Sequence, residues 1–120
     1  MAKEKKPVSL TDKGKVKFRL SEAEAYDMDI AVKQCLAGFK LLKQRQPHLA
    51  PYSFGAHMAL DLFAELQQKH FNKVQYSAFD FTLSRRDAIL FLYATLMIDL
   101  PALNLASFKV IIGQLEQVLI

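Results

Sequence analysis

The sequence is poor in the residues that build several common kinds of site. It has one cysteine, Cys35, no tryptophan, and only four glycines and four prolines in 120 residues. A single cysteine excludes an intramolecular disulfide, and scattered glycines exclude the phosphate-binding loops of nucleotide enzymes. No apolar stretch approaches the roughly 20 residues that a membrane-spanning helix needs. The start, MAKEKKPVSL, lacks the apolar segment of a secretory signal, so we expect a cytoplasmic protein with no membrane partner.

Apolar residues are plentiful, at 52% of the chain. A chain of this length and composition folds as one domain and needs no disulfide, metal or other cofactor to do so. Its apolar content is high for so small a body. We therefore expect part of it to lie in a subunit interface, most simply that of a homodimer.

Positive charge is concentrated near the N-terminus. Residues 1–19 carry seven basic and two acidic side chains, a net charge of +5, whereas the remaining residues carry nine basic and ten acidic ones. Residues 1–14, with Pro7 and Gly14, are predicted to form a flexible basic arm. Residues 15–120 are predicted to form a single helical domain.

Hydrophobic periodicity predicts two strands and four helices in that domain. KVKFRL, residues 15–20, and VQYSAFDFTL, residues 74–83, alternate in the manner of half-buried strands, and each is followed by a serine that can cap a helix, Ser21 or Ser84. The helix after Ser84 is apolar on nearly every face, which predicts that it is covered on both sides. The predicted helices span residues 21–45, 54–71, 85–100 and 103–119, and the prolines of residues 46–53 predict a loop.

The two strand-to-helix junctions resemble each other. FRLSEAEA at residues 18–25 matches FTLSRRDA at residues 81–88, an offset of 63 residues. This predicts a mainly helical α+β fold of two tandem strand-helix-helix halves, about 15–72 and 74–120, related by a pseudo-twofold internal repeat. Their two strands would pair as a small two-stranded sheet covered by helices. Convergence of two similar junctions on the same residue types is the other explanation.

The leading functional interpretation is a non-catalytic interaction or accessory protein that self-associates, or binds another protein, through apolar helices. A large apolar patch on a soluble body usually marks a partner's binding site. The candidate interface residues are Leu41, Tyr52, Tyr93 and Leu119.

The alternative is a nucleic-acid-binding module, because clustered basic side chains neutralise phosphates. If the strands pair, Arg19 is expected to approach Arg85 or Arg86 and form one basic patch. Phe18 is a weak stacking candidate, since alternation points it away from its basic neighbours. The candidate residues are Lys13, Lys15, Lys17, Arg19, Arg85 and Arg86.

Catalytic chemistry has only one weak candidate. His57, Asp61 and Glu65 recur every four residues and would share one face of a helix, where they are able to bind a metal or relay a proton. A solvated helix face explains the same pattern. Cys35 lies on an apolar stripe and is expected to be a small core residue rather than a nucleophile. We therefore expect no enzyme activity and no metal site.

Overall fold

The computed structural model describes residues 6–45, 50–97 and 105–120, without the side chains of residues 42, 43, 45, 50–56 and 97. The described chain is mixed α+β, and its four helices and one antiparallel sheet confirm the predicted class. The elements in chain order are β1 (Val8–Leu10), β2 (Val16–Leu20), α1 (Glu22–Arg45), α2 (Ala50–Lys69), β3 (Phe79–Leu83), α3 (Arg85–Met97) and α4 (Ala106–Leu119).

The sheet has three strands in the order β1-β2-β3, so the prediction of two strands was wrong. The additional strand lies in the predicted flexible arm, where Val8 pairs with Phe18 of β2. Gly14 makes this possible, since it turns the chain with a φ of +78°, a value that suits glycine. The hydroxyl of Thr11 closes the turn by accepting a 3.1 Å hydrogen bond from the amide of Lys15.

The two strands predicted from the sequence do pair with each other. β2 and β3 are antiparallel, with Phe18 opposite Phe81 and Arg19 opposite Asp80. The strand alternation is as predicted, because Val16, Phe18 and Leu20 are buried while Arg19 is exposed. β3 is shorter than the predicted strand, since residues 74–78 form a loop.

Both predicted serine caps are present. The Ser21 hydroxyl accepts a 3.2 Å hydrogen bond from the amide of Glu24, whose carboxylate accepts one of 2.8 Å from the amide of Ser21. In the same way, the Ser84 hydroxyl accepts a 3.1 Å hydrogen bond from the amide of Asp87. These bonds satisfy amides that have no partner inside the first helical turn.

α2 begins earlier than predicted, because Pro51 lies in its first turn rather than in a loop. Proline is tolerated there, since the first amides of a helix have no partner within it. The four helices form a ring in which α1 packs on α2 and α4, and α3 also packs on α2 and α4. None of the helices described is long and apolar enough to cross a bilayer.

The core connects the sheet to the helices through aromatic rings. Phe18 stacks on Phe81 with a centroid distance of 4.8 Å, and it also contacts Phe91 of α3 at 6.1 Å. Phe91 contacts Phe63 of α2 at 5.2 Å, and Phe63 contacts Phe39 of α1 at 6.4 Å. One continuous core therefore joins the inner face of the sheet to three helices.

The structure does not confirm the internal repeat. β1 precedes β2, but residues 72–78 before β3 form no strand, so the sheet has no matching element in the second half. Two junctions that each end a strand and cap a helix use the same few residue types even without duplication.

Candidate protein-interaction surface

The helix α3 has no charged side chain from residue 88 to residue 97. Its inner side is fully buried, with Phe91 between Ala88 and Ala94. Thr95 is buried too, and its hydroxyl donates a 2.8 Å hydrogen bond to the carbonyl of Leu92 in the same helix. The polar group on this side is therefore satisfied without a partner from another element.

The outer side of α3 is also apolar. Ile89 is 47% exposed, Tyr93 55% and Leu96 57%, and their spacing of four and three residues places them on one helical face. We call these three residues the α3 face. The sequence predicted that this helix would be covered on both sides, but here one side is left in solvent.

The other helices show that the α3 face is unusual for this molecule. Among the side chains that the structure describes, the exposed sides of these helices include charged groups, such as Lys33 and Lys40 on α1, Asp61 on α2 and Lys109 on α4. Charge on α3 is confined to its first turn, Arg85 to Asp87. An amphipathic helix normally turns its polar side to water, so α3 departs from the expected pattern.

Two arginines border the α3 face at its N-terminal end. Arg85 and Arg86 are exposed, and neither forms an ion pair with any residue that the structure describes. Arg86 lies three residues before Ile89 and seven before Tyr93, on the same side of the helix. The surface thus combines an apolar stripe with a positive end.

The structure distributes the predicted interface residues over several places. Tyr93 lies at the centre of the α3 face, whereas Leu41 is 49% exposed on α1. Leu119 is partly buried and packs against the core at the end of α4. The side chain of Tyr52 lies outside the described part of the chain. The predicted set therefore does not form one surface, and only Tyr93 belongs to the apolar stripe.

The predicted basic residues separate into two groups. Lys17 and Arg19 point outward from β2, and both approach the same carboxylate oxygen of Asp80, at 3.7 and 3.9 Å. Val16 lies opposite Leu83, the last residue of β3. The register therefore places Lys15, not Arg19, beside the start of α3. Lys13 lies in the turn between β1 and β2 at this same end. Arg19 is therefore at the opposite end of the strand pair from Arg85 and Arg86.

The predicted histidine-carboxylate stripe is exposed along α2. His57, Asp61 and Glu65 all face solvent, and Glu65 accepts a 2.6 Å hydrogen bond from Lys69. That hydrogen bond and the charge of Lys69 lower the pKa of Glu65. Across the described residues, no group of three or more histidine, cysteine, aspartate or glutamate side chains is arranged to hold a metal ion.

Two large open depressions lie away from the α3 face. One of about 630 Å³ lies at the junction of β2 and α1, where Arg19, Glu24 and Asp80 line it. Its charged groups already contact each other or the helix cap. The other, of about 560 Å³, lies between α1 and α2 and contains Lys40 and Asp61. Each depression therefore carries charges of both signs, and neither depression is dominated by charges of one sign.

A smaller pocket of about 100 Å³ lies between the end of α2 and the start of α3, with His70, Glu65 and Asp87 among its lining. The ring of His70 stacks on Phe81 at 4.8 Å. Burial lowers the pKa of His70, and the charges of Lys69 and Lys73 lower it further. This ring therefore extends the aromatic stack of Phe18 and Phe81.

One buried polar cluster ties the loop before β3 to α1. The Tyr76 hydroxyl donates a 2.8 Å hydrogen bond to one carboxylate oxygen of Asp29, and Lys33 donates one of 3.0 Å to the other. Burial and this hydrogen bond raise the pKa of Tyr76 to about 12. The Tyr76 hydroxyl and both carboxylate oxygens of Asp29 have hydrogen-bond partners. We call this cluster the structural clamp.

Two members of the α3 face escaped prediction. Ile89 and Leu96 share a helical face with Tyr93, and no charged residue lies between them in the sequence. That absence of charge over two turns was the available signal. The sequence did not show which side of the helix the core would leave uncovered. No protein family model, curated protein or solved structure matches this chain.

Proposed function

We propose that this chain is a non-catalytic protein-interaction or accessory protein of the cytoplasm, and that it binds its partner through the α3 face. The observation that carries the proposal is the exposure of Ile89, Tyr93 and Leu96, about half each, on a helix without charge at its middle. Apolar patches of this kind on folded chains usually mark sites where another molecule binds.

Burial energetics support the assignment. Each half-exposed large side chain leaves on the order of 100 Å² of surface in water, and covering it returns about 25 cal/mol per Å². Tyr93 suits an interface especially well, since its ring is apolar while its hydroxyl tolerates water at the rim. The arginines at one end would add charged contacts to a partner and help to fix its orientation.

A photo-crosslinking experiment tests this function in living cells. The photoreactive amino acid p-benzoylphenylalanine replaces Tyr93 in one variant and Val110 in a matched control. Val110 is 50% exposed on α4, so the probe reaches solvent equally well there. We expect a discrete, light-dependent adduct from position 93 and none from position 110.

A second substitution checks that the adduct depends on the α3 face. Leu96→Glu, combined with the probe at position 93, should abolish the adduct because it places a charge in the contact. The absence of any adduct from position 93, or equal adducts from both positions, would remove the proposal. The mass of the adduct also shows whether the partner is a second copy or a different protein.

Nucleic-acid binding is the second candidate, and the arrangement at one end of the sheet favours it. The register brings Lys13 and Lys15 to the same end as Arg85 and Arg86. Phe18 is fully buried, however, so it is not available to stack on a base. Binding would then rest on phosphate contacts and weaken steeply with salt.

Fluorescence anisotropy with a short labelled duplex tests the second candidate. Lys15→Ala and Arg86→Ala should each weaken binding and reduce its salt dependence. Lys40→Ala is the control, since Lys40 is a lysine exposed on α1. Binding that is absent at low salt, or that responds equally to all three substitutions, argues against a basic site at this end.

A further inference from the structure

We infer that the α3 face binds an acidic protein segment, whose apolar side chains cover the α3 face while its carboxylates contact the basic side chains at the N-terminal end of α3. This inference rests on the proposed function and adds the chemistry of the partner. We call the basic side chains at this end the basic end, and they are Lys13, Lys15, Arg85 and Arg86.

The two arginines of the basic end flank the apolar stripe. At about 100° per residue, Arg85 lies about 40° to one side of Ile89 and Arg86 about 60° to the other. The other two residues of the α3 face fall between these directions. Asp87 lies on the opposite side of the helix, where it lines the small pocket beside α2. A molecule that covers the α3 face therefore meets both guanidinium groups and not the carboxylate of Asp87.

Two lysines add to the positive charge at this end. The register of β2 with β3 places Lys15 beside the start of α3, and Lys13 lies in the turn before it. All four basic side chains are exposed, and none forms an ion pair with a residue that the structure describes. Their acidic neighbours in the chain, Asp12 and Asp87, leave a net charge of 4 − 2 = +2. The helix dipole of α3 makes this end more positive still.

Basic side chains at the other end of the strand pair differ from the basic end. Lys17 and Arg19 both approach one carboxylate oxygen of Asp80, at 3.7 and 3.9 Å. Their charge is compensated within the chain, whereas the charge of the basic end is not. Charge complementarity therefore selects an acidic partner for the basic end. Exposed charges of this kind set the orientation and association rate of a complex more than its affinity, which the apolar contact supplies.

The apolar stripe favours a protein over a nucleic acid as the source of the anionic groups. α3 has no charged side chain from residue 88 to residue 97. A nucleic acid strand carries a phosphate on each nucleotide, and phosphates held against this stripe would lose water without gaining a positive partner. A protein segment is able to place apolar side chains on the α3 face and to confine its carboxylates to the basic end.

Charge reversal combined with photo-crosslinking tests the inference. Arg85→Glu and Arg86→Glu are introduced together into the chain that carries p-benzoylphenylalanine at position 93, and the yield of the adduct in cells is measured. We expect the yield to fall at least about tenfold, because carboxylates of the partner would then face carboxylates. Glutamate in the first turn of a helix suits the helix dipole, so this variant should fold, as circular dichroism verifies.

A second charge reversal is the matched control. Lys40→Glu and Lys109→Glu together change the net charge by the same amount at exposed positions on α1 and α4. The adduct from position 93 should form with this variant as it does with the wild type. An equal loss of adduct in the two double variants would overturn the basic end as a contact.

Mass spectrometry of the adduct identifies the crosslinked segment of the partner, which should contain clustered aspartate or glutamate. Lysine in place of these acidic residues should abolish the adduct with the wild type and restore it with the Arg85→Glu, Arg86→Glu variant. A crosslinked segment without acidic residues, whether in another protein or in a second copy of this chain, would overturn the inference. Failure of the charge exchange to restore the adduct would do the same.

Two further measurements examine other anionic molecules. Nuclease treatment should leave the adduct intact, and vesicles of phosphatidylserine and phosphatidylcholine should not bind the protein in a flotation assay. An adduct that nuclease removes would make a nucleic acid the partner. Vesicle binding that the Arg85→Glu, Arg86→Glu variant loses would make the partner an anionic membrane. Either result overturns the acidic protein segment.

The failures of this inference and of the proposed function are distinguishable. A protein adduct from position 93 that is unaffected by the two arginine substitutions overturns the acidic partner and leaves the proposed function standing. The absence of any adduct from position 93 overturns both proposals.

Discussion

The hydroxyl of Tyr76 lies 2.8 Å from a carboxylate oxygen of Asp29, although 47 residues separate them in the chain. This bond fastens the loop before β3 to the first turns of α1, where the ring of Tyr76 also meets the ring of Tyr26 edge-on at 5.2 Å. Since α1 follows β2 directly, the bond helps to hold β3 in register with β2. It is a long-range contact between the segment before β3 and the helix after β2.

Removal of this hydroxyl should destabilise the fold. Tyr76→Phe leaves one oxygen of the buried Asp29 without its donor, and we expect the free energy of unfolding to fall by about 1–3 kcal/mol. Urea denaturation followed by circular dichroism measures this change. Tyr93→Phe is the matched control, because that tyrosine is exposed on α3 and its hydroxyl forms no hydrogen bond within the described chain. Equal effects of the two substitutions would contradict the clamp.

The same tyrosine makes stability depend on alkaline pH. Burial and the bond to Asp29 raise its pKa to about 12 in the folded protein, whereas an unfolded chain has a tyrosine pKa near 10. The unfolded state thus loses the proton first, so the contribution of Tyr76 is complete below pH 10 and is lost as the pH rises toward 12.

Unfolding measurements at about pH 9 and about pH 11 check this dependence. The difference in stability between the wild type and Tyr76→Phe should be smaller at the higher pH. Cys35 also titrates in this range, but it is present in both proteins and cancels from the difference. A difference that is unchanged between the two pH values would show that the tyrosine is not held in its protonated form by the fold.

The strand β1 gives a third prediction. Val8 is 1% exposed and its amide donates a 3.2 Å hydrogen bond to the side chain of Gln114 on α4. Val8→Ala removes two buried methyl groups, and we expect a loss of about 2 kcal/mol in unfolding free energy. Leu10→Ala, on the same strand but 53% exposed, should cost less than about 1 kcal/mol. If Val8→Ala is as mild as Leu10→Ala, the N-terminal segment is not held as a strand in solution.

The sequence predicts the elements with strong local signals. The alternation of Phe18 with its charged neighbours, and the Ser21 to Glu24 cap, specify a strand and a helix start from a few adjacent residues. β1 escaped prediction because only Val8 and Leu10 are apolar in a segment rich in lysine. Its order comes from pairing with β2 and from the contact with Gln114, 106 residues away. A local sequence pattern does not identify contacts with residues so far away in the chain.

The candidate surface was predictable only in part, for a similar reason. The uncharged middle of α3 predicts a helix covered on both sides, and Tyr93 is among the predicted interface residues. Phe91 and Ala94 are buried on one side of the helix, and the side that carries Tyr93 is left uncovered. Which side a uniformly apolar helix turns inward is set by tertiary packing, not by its own sequence.

The single cysteine provides a probe of how tightly the core is closed. Cys35 is fully buried, and burial raises the pKa of its thiol to about 12. Only the thiolate reacts with disulfide reagents. At pH 8 the folded protein should therefore react with Ellman's reagent more than about 100-fold more slowly than the same protein unfolded in urea.

An exposed cysteine on the same helix is the control for this last experiment. Ala37→Cys in a Cys35→Ala background places a thiol two residues further along α1, where Ala37 faces solvent. That thiol should react rapidly in the folded protein, because it is neither buried nor held in its protonated form. Rapid reaction of native Cys35 at the same rate would mean that α1 separates from α2 and α4 often enough to expose the core, contrary to the closed ring of helices.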